Sequence, residues 1–152
     1  MGEKEIHRRG AESAEMEWGN DRLTGEVIAA AIEVHRFLGP GLLESAYQGC
    51  LATELDLRRL GYRREVELPL IYKGNAVDCS YRLDFVVEEK LVLELKSVTS
   101  LEPIHHAQVL TYLRLSSYHR ALLINFNVPL LKDGIKRIVL SNKSSAPSAP
   151  LR

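Results

Sequence analysis

The chain is poor in several of the features that announce a function. It holds two cysteines, Cys50 and Cys79, too few for a disulfide framework and in no metal-binding spacing. No apolar run approaches the roughly 20 residues that a membrane-spanning helix needs. Neither sign of charge is in excess, with 20 Lys plus Arg against 20 Asp plus Glu. That balance argues against a general DNA-coating protein, although an enzyme can hold phosphate through a local patch and a metal ion. Residues 1–20 are polar, carrying Glu3, Lys4, Glu5, Arg8, Arg9, Glu12, Glu15 and Glu17, and contain no apolar core of a secretory leader. These absences lead us to expect a reducing, cytoplasmic setting away from membranes.

A chain of 152 residues is most simply one domain, large enough to bury roughly two-thirds of its unfolded surface. Residues 1–20 are expected to form a mobile tail. Residues 141–152, rich in Ser, Ala and Pro, have the composition of a disordered extension. The folded unit is then 21–140.

Within it, apolar spacing predicts a helix over Gly25–Leu38, capped by Thr24 and closed by Gly39-Pro40-Gly41. A second helix is expected over Leu43–Leu60, with Leu43, Tyr47, Cys50, Leu51 and Leu55 inward and Gly61 as its C-cap. Strands follow at Tyr62–Leu68 and Leu70–Tyr72, then a turn at Lys73-Gly74-Asn75, then strands at Tyr81–Val87 and Leu91–Val98. A third helix over Ile104–Leu115 is apolar nearly all round and reads as buried. Strands at Ala121–Asn125 and Ile135–Leu140 complete an α/β chain of the mixed, α+β kind.

Two of these strands carry charges where charges ought to be rare. If Glu88-Glu89-Lys90 form a three-residue hairpin loop, Val87 pairs with Leu91 and Asp84 faces Glu94. Opposed side chains on an antiparallel pair have Cβ atoms roughly 4.5–5.5 Å apart. Two carboxylates at that distance repel each other, and Lys96 projects from the same face as Glu94. A divalent cation between the carboxylates would explain the arrangement. The alternative is a surface hairpin with Glu94 and Lys96 in solvent, but Val92 and Val98 share their face and argue for burial.

Helix, hairpin bearing Asp and then Glu-x-Lys, helix, strand: this order resembles the core of the PD-(D/E)XK nuclease-like superfamily. The chain is similar in particular to a bacterial group named for its GxxExxY motif, present as Gly41-Leu42-Leu43-Glu44-Ser45-Ala46-Tyr47. The segments Tyr81–Asp84, Glu94–Lys96, Ala107–Leu113 and Leu123–Asn127 carry the resemblance further, so that it covers roughly 22–140. Leu83 stands where the superfamily's name has proline. The resemblance implies a restriction-endonuclease-like core, a central mixed β-sheet flanked by helices. It also implies a metal-dependent nuclease acting on nucleic acid, DNA before RNA. Many nucleases of this fold act as dimers, which makes a homodimer compatible with the reading. The superfamily also contains inactive members, so a silent module that binds nucleic acid or a protein partner is the alternative, and another metal-dependent hydrolase a third.

The groups themselves suit that chemistry. Asp84 and Glu94 are hard oxygen ligands, fitted to Mg²⁺ or Mn²⁺ rather than Zn²⁺. Lys96 is placed to orient an attacking water and to stabilise charge in the transition state. Glu44 opens a helix, where a carboxylate is favoured for local reasons, and the resemblance implies a third acidic group at the metal. Tyr47 reads either as core or as a hydroxyl reaching the site to bind substrate. At 100° per residue, His105, Gln108 and Tyr112 lie within about 60° of one another on the third helix. The resemblance implies that Gln108 lies near the metal centre, touching phosphate or water. Tyr112 joins it as a substrate-binding candidate, and His105 reads equally as a capping histidine or a phosphate ligand. His106 points away. Arg58, Arg59, Arg63 and Arg64, and later Lys132, Lys136 and Arg137, either track a phosphate backbone or are solvated surface.

Overall fold

The structure, a computed structural model, describes residues 21–141; the two tails expected from composition lie outside them. Helix α1 (Arg22–Leu38) starts earlier than its apolar pattern suggests, because Asp21 rather than Thr24 caps it. The Asp21 carboxylate accepts from the Leu23 N–H at 3.1 Å and from the Thr24 hydroxyl at 2.7 Å. It also pairs with Arg120, which ties the helix start to the sheet. Helix α2 (Glu44–Leu57) is shorter than expected. Leu43 stays outside it as an exposed N-cap, Cys50 faces solvent, and Tyr47, Leu51, Ala52 and Leu55 form the buried stripe. Gly61 is not the cap: Arg59 adopts the left-handed turn with φ 59°.

Five strands form one sheet in the order β1-β2-β3-β4-β5. They are β1 (Tyr62–Tyr72), β2 (Asn75–Val87), β3 (Leu91–Lys96), β4 (Arg120–Asn125) and β5 (Ile135–Val139). Neighbours are antiparallel except β3 and β4, which are parallel and joined through α3 (Pro103–Leu115). The mixed sheet with flanking helices is the expected α/β architecture. A short 3-10 turn (Leu131–Gly134) precedes β5.

The β1–β2 hairpin is longer than its sequence suggests. β1 runs unbroken through Pro69, which an edge strand tolerates, with a register shift between Pro69 and Ile71. The turn holds two residues, Lys73 and Gly74, both with positive φ (48° and 80°), the conformation that matches the twist of a hairpin. Residues 71–82 are exposed, so no buried face is there to betray β2 in the sequence.

The sheet separates two apolar clusters. Phe85, Val87, Leu91, Leu93, Leu95, Leu122 and Ile124 pack with α1 and α2. Val86, Val92, Ala121 and Leu123 pack with Val109, Tyr112 and Leu113 of α3. Period-two alternation puts the two sets on opposite faces. Leu83 breaks the alternation, since it lies in the α3 cluster while Phe85 lies in the other. The ribbon rolls over between them, where the register sets Glu65, with φ 53°, across from Asp84. Helix α3 is one-sided rather than buried all round: Ile104 lies in solvent and only Val109, Tyr112 and Leu113 are fully covered. Among the described residues no helix is long and apolar enough to cross a membrane.

Candidate active site

The β2–β3 ladder pairs Val87 with Leu91, Val86 with Val92 and Phe85 with Leu93. One step further it would set Asp84 against Glu94, as the three-residue loop requires. The ladder stops there. Asp84 Oδ2 instead accepts the Leu95 N–H at 2.8 Å, so a side-chain carboxylate takes the place of a backbone carbonyl and the strands part. Lys96 Nζ lies 3.4 Å from Glu94 Oε2. Glu94 is only 6 % exposed, which removes the surface-hairpin reading.

This geometry is electrostatically costly. Burial pushes the Asp84 carboxyl above its usual range, and the nearby Glu44 charge adds to the effect. The Leu95 N–H, a hydrogen bond with Glu94 and the charge of Lys96 oppose it. Burial and then the Asp84 charge push Glu94 up to about 8, against the pull of Lys96. Glu94 Oε1 is buried with no hydrogen-bond partner among the described residues. Gln108 Oε1 is in the same condition. Two unpartnered acceptors in so small a domain call for a missing donor or cation.

The remaining expected residues divide. Tyr112 lies beside the acidic pair, and its phenol is pushed up by burial and by the charges of Glu94 and Asp84. Glu44, exposed at the first residue of α2, is close enough to raise Asp84. Even so, among the described residues no group of three or more His, Cys, Asp and Glu side chains is placed to hold a metal. The acidic centre in this structure is the Asp84–Glu94 pair. Tyr47 is fully buried and stacked on Phe126 at 4.5 Å. Its hydroxyl donates to Gly39 O at 2.6 Å and accepts from Leu42 N at 3.2 Å, so it braces the loop that delivers Glu44. His105 accepts the Glu102 N–H on Nδ1 at 2.9 Å, the capping alternative. Of the arginines near Gly61, Arg58 is bonded to Glu54, Arg63 to Glu89 and Arg64 to Gln48.

Three contributors escaped the sequence reading. Ser97 donates to Leu42 O at 2.6 Å and fastens the end of β3 to the loop before α2. Asn125, buried at the end of β4, accepts the Val98 N–H and donates to Val98 O, both at 3.0 Å, fixing the chain just beyond Lys96. Parallel β3 and β4 end side by side, and that signal was available in the order of elements. Tyr81 packs on Tyr112 with ring centroids 5.7 Å apart. Strand parity would place it opposite Asp84, and only the roll of the ribbon brings it round.

A family model described as the PD-(D/E)XK nuclease superfamily matches residues 21–138, almost all of the described chain. The chain belongs to this superfamily. No curated protein and no solved structure matches it. Asp84 and Glu94-Leu95-Lys96 both lie within the matched span. Divalent metals are in general use among PD-(D/E)XK nucleases, and the residues here fit one. The donors are hard carboxylate oxygens, one of them buried and unpartnered, and burial disfavours both anions, a cost that a cation would offset.

Proposed function

We propose that this PD-(D/E)XK protein is a Mg²⁺- or Mn²⁺-dependent nuclease that hydrolyses phosphodiester bonds in DNA. Within the superfamily we place it in the GxxExxY group, on Gly41, Glu44 and Tyr47. The single observation that carries the reading is the buried Glu94 beside the half-buried Asp84, with Lys96 on Glu94. A surface-packing role gives no reason to draw two facing carboxylates out of solvent.

Asp84 and Glu94 would hold the ion, and Glu44 would add negative potential from the first residue of α2. When bound, such an ion polarises a phosphoryl oxygen and acidifies a water. The chain's own groups do the rest. Lys96 donates to the attacking water or to a non-bridging oxygen, where charge builds as the new P–O bond forms and the old one breaks. Gln108 Oε1, an acceptor without a donor, orients that water by taking one of its hydrogens. Tyr112 offers a phenolic hydroxyl to the phosphate, while His105 caps the start of the same helix. Tyr47 acts at one remove, through the loop it braces.

One such site cuts one strand, so a homodimer is required only where both strands of a duplex are broken together. Both cysteines are exposed and unpaired, which suits a reducing compartment, and we assign the protein to the cytoplasm. The test is incubation with labelled single- and double-stranded DNA and RNA in Mg²⁺ or Mn²⁺, beside Asp84→Asn and Lys96→Ala. Cleavage by the parent chain, abolished in Asp84→Asn and cut at least about a hundredfold in Lys96→Ala, is the expected result. Absence of cleavage, or equal cleavage by the variants, refutes the proposal and leaves the silent module in its place.

A further inference from the structure

The acidic site has an aromatic wall whose ring faces the hydrolytic chemistry does not use. Tyr81 and Tyr112 lie with ring centroids 5.7 Å apart and planes tilted by 44°. Tyr112 is almost wholly covered, whereas Tyr81 is 38 % exposed. Tyr112 belongs to the apolar cluster that holds Leu83, the chain neighbour of Asp84, and Val92, two residues before Glu94, which sets the aromatic pair beside the acidic site. Tyr81 stands there only because β2 rolls over between Leu83 and Phe85. A regular strand would have turned it to the other face of the sheet.

The same region is short of free positive charge. Arg82 is held by Glu65 at 3.0 Å and Lys96 by Glu94 at 3.4 Å. The whole chain balances its 20 basic residues with 20 acidic ones. Duplex binding draws on many cations that are free to contact phosphates, and the two basic side chains that β2 and β3 carry two residues from the acidic pair are both engaged by carboxylates. Affinity for nucleic acid must then come from elsewhere. Aromatic side chains stacking on bases provide it without regard to sequence, but only to bases that have left the duplex stack.

We propose that Tyr81, backed by Tyr112, is a stacking platform for an unpaired nucleobase beside the acidic centre, so that the preferred substrate is a single strand or an unpaired end rather than closed duplex. The inference rests on the nuclease reading and refines its substrate. The platform holds the base while the adjoining phosphate reaches Asp84 and Glu94. Tyr81 carries no step of hydrolysis; it positions the strand.

The test uses the full chain carrying Asp84→Asn, so that strands bind without being cut, with fluorescence anisotropy of a labelled oligothymidylate and of a blunt duplex in Mg²⁺. Single strand is expected to bind more tightly than duplex. Tyr81→Ala is expected to weaken single-strand binding by about five- to a hundredfold, the range for loss of one base–aromatic stack. Tyr81→Phe keeps the ring and stays within about twofold of the parent, which separates stacking from loss of the hydroxyl. Circular dichroism of each variant establishes that it is folded. Equal binding by Tyr81→Ala, or preference for duplex, overturns the platform while the nuclease reading stands, as cleavage by the parent chain would show. If the parent chain neither cuts nor binds any nucleic acid, both fall together.

Discussion

Between pH 4.5 and about 8 the folded chain keeps a proton on Glu94 that the unfolded chain has released, because burial and then Asp84 disfavour the anion. Fewer protons are bound when unfolded, so the stability of the ion-free protein falls as pH rises through that window. Glu94→Gln removes the titrating group, and urea midpoints measured in a chelator should then lose most of that slope. An equally steep slope in the variant would mean that another group is responsible. On the proposed reading, binding of Mg²⁺ displaces the same proton, so thermal stabilisation by the ion should be larger at pH 8 than at pH 6 and absent in Glu94→Gln. In the proposed mechanism Lys96→Ala removes a donor aimed at developing charge. The expected loss in kcat is about 10²- to 10³-fold, with KM for DNA changed far less; a change confined to KM would make Lys96 a binding residue only.

Elements hold these residues in place, and the 3-10 turn before β5 is the tightest of the supports. A methyl group at Gly134 would collide with the backbone carbonyl of Asn125, whose side chain fixes Val98. Gly134→Ala should therefore cost about 1–3 kcal/mol in chemical denaturation, the range for overpacking. A variant as stable as the parent would show that β4 and the turn can part without loss. What the sequence disclosed at this level follows from the same physics. The Asp84–Glu94 opposition was legible because a three-residue loop fixes an antiparallel register. The start of β2 was not, since residues 75–80 bury no face and leave no alternation to read. The end of α2 was misplaced because Arg59 took the left-handed turn that Gly61 seemed suited for. Tyr81 was hidden by the roll at Glu65, a backbone event with no signature in side-chain periodicity. Asn125 and Ser97 look like ordinary strand-end polar residues until parallel β3 and the loop before α2 are brought beside them.

At the scale of the molecule the central strands serve two cores at once. Leu93 and Leu122 point into the cluster under α1 and α2, while Val92 and Leu123, their chain neighbours, point into the cluster under α3. A strand cannot leave one cluster and stay in the other, so the two layers should unfold as a single unit despite the separation of their apolar contacts. The proposed site draws on both layers, with Glu44 from α2, Gln108 and Tyr112 from α3, and Asp84 and Glu94 from the sheet between them. Leu122→Ala and Leu123→Ala place a cavity on either side. Each should destabilise the chain by about 2–5 kcal/mol. In both variants the far-ultraviolet and near-ultraviolet dichroism transitions in urea should coincide, shifted together. Separation of the two transitions in either variant would show that one helical layer can melt while the sheet retains the other, and the acidic pair would then lose its partners one layer at a time.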